Sequence, residues 1–399
     1  MQSSIQNEIE RISHVERKYV EEVLNSQFRA STNVNMMAKL EKKFAQVFNM
    51  PFAISFINGT ATLHTALISA GVGYGDEVIV PPLTMASTSL AVLQSNAIPV
   101  FADIDPTSWT IDPLSIKKNI TPRTKAIITV SIYGLSPDMD AIMEIAHQHK
   151  LFVLEDNAQC FLGYYKNKLV GTMGHASSYS FQSSKHMTSG EGGMIITGDK
   201  ELAEKIRRLN TLGYKAVGAN ANQSKISKFD IQSPDYERHS SIGWNYRMPE
   251  LCAAVALGQL ERLHLFVDMR QQIAKLYDEV LSDCNWLTSQ QSNYDCIHSY
   301  WSYVLKLSKD TSLSWHQFRN KFVDFGGDSI YGAWQLTYLE PAFCKKQFFS
   351  MQQQQFQKGL CPIAEKTQPF LLQFKTNYLK MEKASKQAEA LLKTVHYFS

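Results

Sequence analysis

The chain has 399 residues, 44% hydrophobic and 19% charged, with 40 Lys+Arg against 37 Asp+Glu and a net charge of +3. A chain of this length exceeds one small core, so two domains sharing an interface are expected, and the near-neutral balance gives no case for a nucleic-acid or membrane surface. Its six cysteines (Cys160, Cys252, Cys284, Cys296, Cys344, Cys361) form no CxxC pair and accompany no histidine cluster, which excludes disulfides and a metal centre from expectation.

The opening "MQSSIQNEIERISHVERKYVEEVL" is polar and charged, unlike a signal peptide, and no apolar run reaches bilayer length. The cytoplasm is the expected compartment. From about residue 52 to 200 short apolar runs alternate with amphipathic segments, an α/β pattern. The expected strands are "FAISFI", "DEVIVPP", "IPVFADI", "KAIITVSIYG", "LFVLED", "SSYSF" and "GMIIT". Several are apolar almost throughout, as strands covered on both faces must be. "TATLHTALISAGV", "SLAVLQSNA" and "DMDAIMEIAHQHK" are the expected intervening helices, the third with Ser136 as N-cap and Pro137 at its first position. Residues 216–241 are polar and aperiodic and read as a long loop. The helical stretch "MPELCAAVALGQLERLHLFVDMRQQIAKLYDEVL" leads into a second domain, with strands such as "SYWSYVLKL" among helices. The division is expected near residue 260, giving domains 1–260 and 261–399. The run Gln352–Gln355 reads as a loop or exposed helix face.

"GVGYGD", residues 71–76, has GxGxG spacing after a helix and before a strand, the reverse of a dinucleotide-binding turn, and reads as a helix end. "SFINGTATLH", residues 55–64, has the phosphate-binding order of strand, tight turn and helix. Gly59 would allow close backbone approach and Thr60 would add a hydroxyl, although an ordinary capped helix reads the same way. In "LFVLEDNAQC" two carboxylates end an apolar strand, either capping the next helix or facing a ligand crevice. Asp156 would matter if it met a cationic ring nitrogen. Lys185, 29 residues later, ends the next strand in "SYSFQSSK". It is either solvated or an amine kept partly dry, able to form a Schiff base. Its company, Ser180 before it and "TSGEGG" after it, favours the second. A helix-end phosphate cup, an aspartate and a lysine in this order together describe a pyridoxal 5′-phosphate (PLP) site.

With these parts in place the sequence resembles the nucleotide-sugar aminotransferases, the DegT-like group of fold-type I PLP enzymes. The likeness runs from about residue 25 to the C-terminus and is densest between 55 and 260. It is carried by "NGTATLHTAL", "GDEVIVPPLT", "FADIDP", "TKAIITVSIYG", "LEDNAQ", "SFQSSK", "TSGEGGMIIT" and "GWNYRMPELCAAVALGQLERL". The resemblance implies a large domain with a mixed, mostly parallel sheet flanked by helices, plus a smaller C-terminal α+β domain. It implies that Lys185 carries the cofactor and moves the substrate proton, and that Asp156 keeps the pyridine nitrogen protonated. Gln159 would bond near the ring hydroxyl and Ala158 would lie against the ring. Gly59, Thr60 and Ser180 would hold the phosphate, and Asn245 would reach the phosphate of a partner subunit in a homodimer. Met85 stands where the family usually stacks an aromatic residue. A thioether can pack on a ring face, though less rigidly.

The implied reaction moves an amino group from L-glutamate to a nucleotide-linked keto sugar, giving an amino sugar for a surface polysaccharide or glycoside. Dehydratase relatives carry histidine in place of the lysine, and here Lys185 aligns with His186 after it. A PLP sugar dehydratase and a non-catalytic nucleotide-sugar-binding regulator are the alternatives. Within "IYGAWQLTYLEP", Tyr331 and Trp334 are candidates to shape the sugar pocket or are ordinary packing aromatics.

Overall fold

Seven strands, each buried along most of its length, make one sheet covered on both faces. They are β1 (Phe52–Phe56), β2 (Glu77–Val80), β3 (Ile98–Phe101), β4 (Thr124–Val130), β5 (Phe152–Asp156), β8 (Ala176–Ser180) and β9 (Gly193–Thr197). The short strands β6 (Tyr164–Tyr165) and β7 (Lys168–Leu169) lie between β5 and β8 in sequence and pair with each other. This computed structural model describes residues 8–29, 32, 34–221, 227–345 and 356–399. The Gln352–Gln355 run lies outside the described residues.

The order of the large sheet is β1-β9-β8-β5-β4-β2-β3. The pairs β2/β3, β2/β4, β4/β5 and β5/β8 are parallel, and β9 runs antiparallel to both β1 and β8. The sheet is therefore mixed and mostly parallel, as expected. Helices Gly59–Ser69, Ser87–Gln94 and Met139–His149 connect successive strands. The third does not begin where expected. Its N-cap is Asp138, whose carboxylate accepts from the Ala141 N–H at 3.3 Å, while the Ser136 hydroxyl donates to the Pro137 carbonyl. An aspartate two residues further on offered the better acceptor, so the helix starts later. Gly71 and Gly75 take φ of +84° and +81°, and Asp76 accepts from the Gly73 N–H, so "GVGYGD" is a helix end and turn. The polar stretch 216–241 contains a short helix, Lys228–Gln232.

A second, antiparallel sheet has the order β10-β12-β14-β13, formed by Leu287–Ser289, Ser302–Leu307, Leu371–Lys375 and Tyr331–Gly332. The remaining strand, β11 (Cys296–Ile297), pairs with β6. Helices Leu263–Val280 and Met381–Phe398 pack with the second sheet through Phe266, Ile273, Tyr277 and Leu391. We propose that the chain divides at Arg262, between helices Glu250–Glu261 and Leu263–Val280. Two segments cross this division. Ile9 belongs to the second core and donates its N–H to the Leu379 carbonyl at 2.9 Å, while Leu336, Tyr338 and Phe343 belong to the core around the large sheet.

One buried charge cluster ties the outer layer to β1. Glu41, on helix Met36–Val47, accepts from the backbone and hydroxyl of Ser55 at 2.9 and 2.8 Å. Arg207, on helix Lys200–Asn210, meets the same carboxylate at 3.2 and 2.7 Å. Removing one member of a buried pair leaves the other desolvated without a partner. Glu41→Ala should therefore lower unfolding stability by about 3 kcal/mol, read as a shift of the urea midpoint; an unchanged midpoint would show that the cluster stabilises nothing.

Candidate active site

Because the central strands are parallel, their C-terminal ends open on one edge of the sheet, where a crevice forms between the connections. Helix Gly59–Ser69 follows β1 after two residues. The Asn58 side chain caps it by accepting from the Ala61 N–H at 2.8 Å. The first turn of a helix has N–H groups without helical partners, and with the helix dipole these favour an anion. Gly59 is needed there: a Cβ would lie 2.8 Å from the Ser180 Cβ and 3.3 Å from its Oγ. The glycine thus lets β8 bring the Ser180 hydroxyl against the helix start.

The crevice contains a cavity of about 360 Å³, and Gly59, Thr60, Met85, Asp156, Ala158, Gln159, Ser180 and Lys185 all line it. Asp156 ends β5 and is 4% exposed. Burial pushes its carboxyl above the usual range, opposed by the Thr88 hydroxyl at 2.9 Å, the Ala158 N–H at 3.2 Å and the charge of Lys185. A buried carboxylate with so little compensation favours a cationic ligand group. Lys185 does not end β8 as expected but lies in the turn five residues beyond Ser180, and burial lowers its amine to about 8, with Asp156 acting upward and Arg270 downward. Near neutral pH an appreciable fraction of this amine is uncharged and able to attack a carbonyl carbon. Gln159 accepts from the Tyr133 N–H at 2.8 Å through its side-chain oxygen, which leaves its amide nitrogen for a ligand. Met85 is 51% exposed at the rim.

Other candidates stand elsewhere. Asn245 is exposed, accepts from Arg247 Nε at 3.0 Å and does not line the cavity. Tyr331 is 60% exposed and outside the cavity, whereas Trp334 lines it. Sequence reasoning missed Thr88, 68 residues before its aspartate, and Trp301, whose ring centroid lies 4.7 Å from Lys185 Nζ and 5.9 Å from that of Trp334. Nothing in "SYWSYVLKL" distinguishes a cavity tryptophan from a core one. A larger hollow of about 750 Å³ lies beside helix Met36–Val47. Its one buried acid, Glu41, is already engaged with Ser55 and Arg207, so it offers no comparable chemistry. Among the described residues no group of three His, Cys, Asp or Glu could hold a metal ion.

The residues present fit PLP: an anion cup closed by Gly59 and Ser180, a buried carboxylate short of donors for a ring N–H, and an amine of lowered basicity in the same cavity. A family model described as the DegT/DnrJ/EryC1/StrS aminotransferase family matches residues 10–376. The chain is 34% identical over 350 residues to GDP-perosamine synthase of Escherichia coli O157:H7, covering 88% of this chain and 87% of that protein. It is 35% identical over 305 residues to GDP-perosamine synthase of Caulobacter vibrioides, covering 76% and 77% of the two chains. Among solved structures, an aminotransferase from Psychrobacter cryohalolentis superposes with a TM-score of 0.86 at 28% identity, covering 97% of this chain and 98% of that one.

The buried amine has a consequence for stability. Lys185 titrates near 8 when folded and near 10.5 when free, so between those values the unfolded chain binds more protons. Stability must then rise with pH across that window, and the cost of burying the charge is greatest below it. Lys185→Met should raise the melting temperature of the cofactor-free protein most at pH 7, with the gain shrinking as pH passes from 8 to 10.5. A gain independent of pH over that range would contradict the assigned burial.

Proposed function

Since the chain belongs to the DegT/DnrJ/EryC1/StrS aminotransferase family, we propose that it moves an amino group from L-glutamate to the keto group of a nucleotide-linked sugar, with Lys185 and Asp156 as its catalytic residues. The enzyme is a sugar aminotransferase of amino-sugar biosynthesis. The observation that carries the finer reading is the meeting of Lys185 and Asp156 in one cavity at the C-terminal edge of the sheet.

The helix start at Gly59 and Thr60, with the Ser180 hydroxyl, would hold the cofactor phosphate. Asp156 would face the ring nitrogen, Ala158 and Met85 would lie against the ring faces, and Gln159 would donate near the ring hydroxyl. When bound, PLP supplies an electron sink that makes the Cα–H bond of an amino acid labile. The chain's own part is proton handling and positioning. The Lys185 amine takes the proton from the donor's Cα and later delivers one to the sugar carbon, and a group titrating near 8 suits both directions. Burial works against the Asp156 charge while Thr88 and Ala158 oppose that effect, and a protonated ring nitrogen would supply the partner that the carboxylate needs. Trp301 and Trp334 wall the cavity beside the lysine and limit water there.

A nucleoside diphosphate sugar is favoured as acceptor because the two curated relatives are named for GDP-perosamine. The position of Asn245, exposed and outside its own cavity, supports a role at the phosphate of a partner subunit and hence a homodimer. No described helix is long and apolar enough to cross a membrane, and we place the enzyme in the cytoplasm. Lys185 rather than histidine favours transamination over sugar dehydration, and an intact lysine and aspartate have no use in a pure binder.

The test is spectroscopic. Purified protein given PLP should show a visible band that L-glutamate bleaches and the correct keto sugar restores, with GDP-linked sugars tried first. Lys185→Ala should lose at least ~10²-fold in turnover, the range typical of a positioned proton-transfer group. A protein that stays colourless with PLP, or full turnover by Lys185→Ala, would sink the reading.

A further inference from the structure

The turn that carries Lys185 is held by two arginines distant in sequence. Arg270, on helix Leu263–Val280, is 3% exposed. It donates to the Trp301 carbonyl at 2.8 Å and the Thr376 hydroxyl at 2.9 Å, and more loosely to the carbonyls of Ser184 and Lys185 at 3.5 and 3.4 Å. Arg11 donates to the carbonyls of Lys185 at 2.9 Å, His186 at 2.8 Å and Ser183 at 3.3 Å. The Trp301 indole N–H adds a bond to the Ser184 carbonyl at 3.0 Å. Every carbonyl from Ser183 to His186 therefore accepts from a side chain of another element.

The acceptors of Arg270 are all neutral oxygens, and the one charge acting on it appreciably is the like charge of Arg11. Burying a cation without a counter-ion costs stability and is a mark of functional sites. The charged groups facing the Lys185 amine are Asp156 from β5, Arg270, and Glu191 at the exposed end of the cavity wall. His186, fully buried and bonded to the Ser299 carbonyl, is held neutral by burial first and then by the nearby arginines. Arg11 is in part balanced by Glu16, which Ser13, Gln259 and Arg262 also bind. Arg270 is left as the cation whose field is not cancelled.

We propose that Arg270, assisted by Arg11, is a positioning residue for Lys185: it fixes the backbone of the lysine turn and sets a buried positive charge with no carboxylate partner where it disfavours a second cation at the lysine amine. This rests on Lys185 being the nucleophile. Burial is the main force against the ammonium, which cannot attack a carbonyl; Asp156 favours the ammonium, and Arg270 acts against it alongside burial. The arginine thus opposes the aspartate at the amine while leaving the aspartate's charge in place for its own partner.

The test uses the cofactor-free full chain. Reductive methylation with isotope-labelled formaldehyde, followed by mass spectrometry of the peptide containing Lys185, gives the pH midpoint of its reactivity, with exposed Lys125 as internal reference. Arg270→Met should raise the Lys185 midpoint by about one pH unit, slowing its modification at pH 8 several-fold to tenfold, with Lys125 unmoved. Arg270→Lys, which keeps a charge, should hold the midpoint near that of the unmodified chain. Arg11→Met, at a half-buried site less prone to unfold the protein, should move it in the same direction by less. An unchanged Lys185 midpoint in folded Arg270→Met or in Arg11→Met would overturn the proposal, as would equal shifts in Arg270→Met and Arg270→Lys. Failure of PLP and borohydride to label Lys185 in the unmodified chain would instead remove its role as nucleophile, whatever the midpoints.

Discussion

The site depends on the pairing of β5 with β8. Asp156 lies opposite Ser178 in a parallel register, so a carboxylate and an amine 29 residues apart in sequence leave the sheet on the same edge. Side chains alternate between faces of a strand, and a slip of one residue would turn Asp156 away from the cavity. Beside this pair the hydroxyls of Thr62 and Ser178, 2.5 Å apart, join helix Gly59–Ser69 to β8 at the residue opposite Asp156. The same contact holds the helix start beside Ser180. Cup, carboxylate and lysine turn are thus three readings of one register.

Much of this was legible in the residues. Apolar strands covered on both faces announce themselves by composition, and a charged residue at the end of such a strand has few places to go except the crevice. Asp156 therefore stood out, Lys185 stood out by its company although it lies in the turn beyond β8 and not at the strand end, and Gly59 stood out because a turn between strand and helix needs close approach. What was not legible is what reaches these residues from far along the chain. Thr88 bonds an aspartate 68 positions away, and Arg11 bonds a turn 174 positions away. No local period or spacing encodes such contacts. The cap at Asp138 was missed for a smaller reason: two acceptors compete within three residues, and Pro137 drew attention to the first. Asn245 is different again, because its proposed partner is on another chain.

The electrostatics of the cavity follow one pattern. Every group proposed to act is buried where its charged form is poorly compensated. Asp156 is a carboxylate with few donors, Lys185 an amine losing its proton early, and Arg270 a cation without a counter-ion. Each costs folding free energy, which the large apolar cores on either side must supply. A ligand that brings a phosphate, a ring cation and a carbonyl answers these demands together, so the folded protein should gain more from binding it than any single contact suggests.

The segment from Glu8 to Ser13 has a bearing on how the enzyme comes into being. Glu8 bridges to Lys380, Ile9 bonds Leu379 and Arg11 holds the carbonyls around Lys185. Residues far apart in the chain are thereby held together, the earlier ones waiting on the later. On the ribosome the large sheet can collapse as it emerges, yet Ile9 has no acceptor until residue 379 has left the exit tunnel. The segment that carries Arg11 is therefore tied down only after residue 379 has been made, and a chain stalled before it would hold the lysine turn with that grip less firmly set.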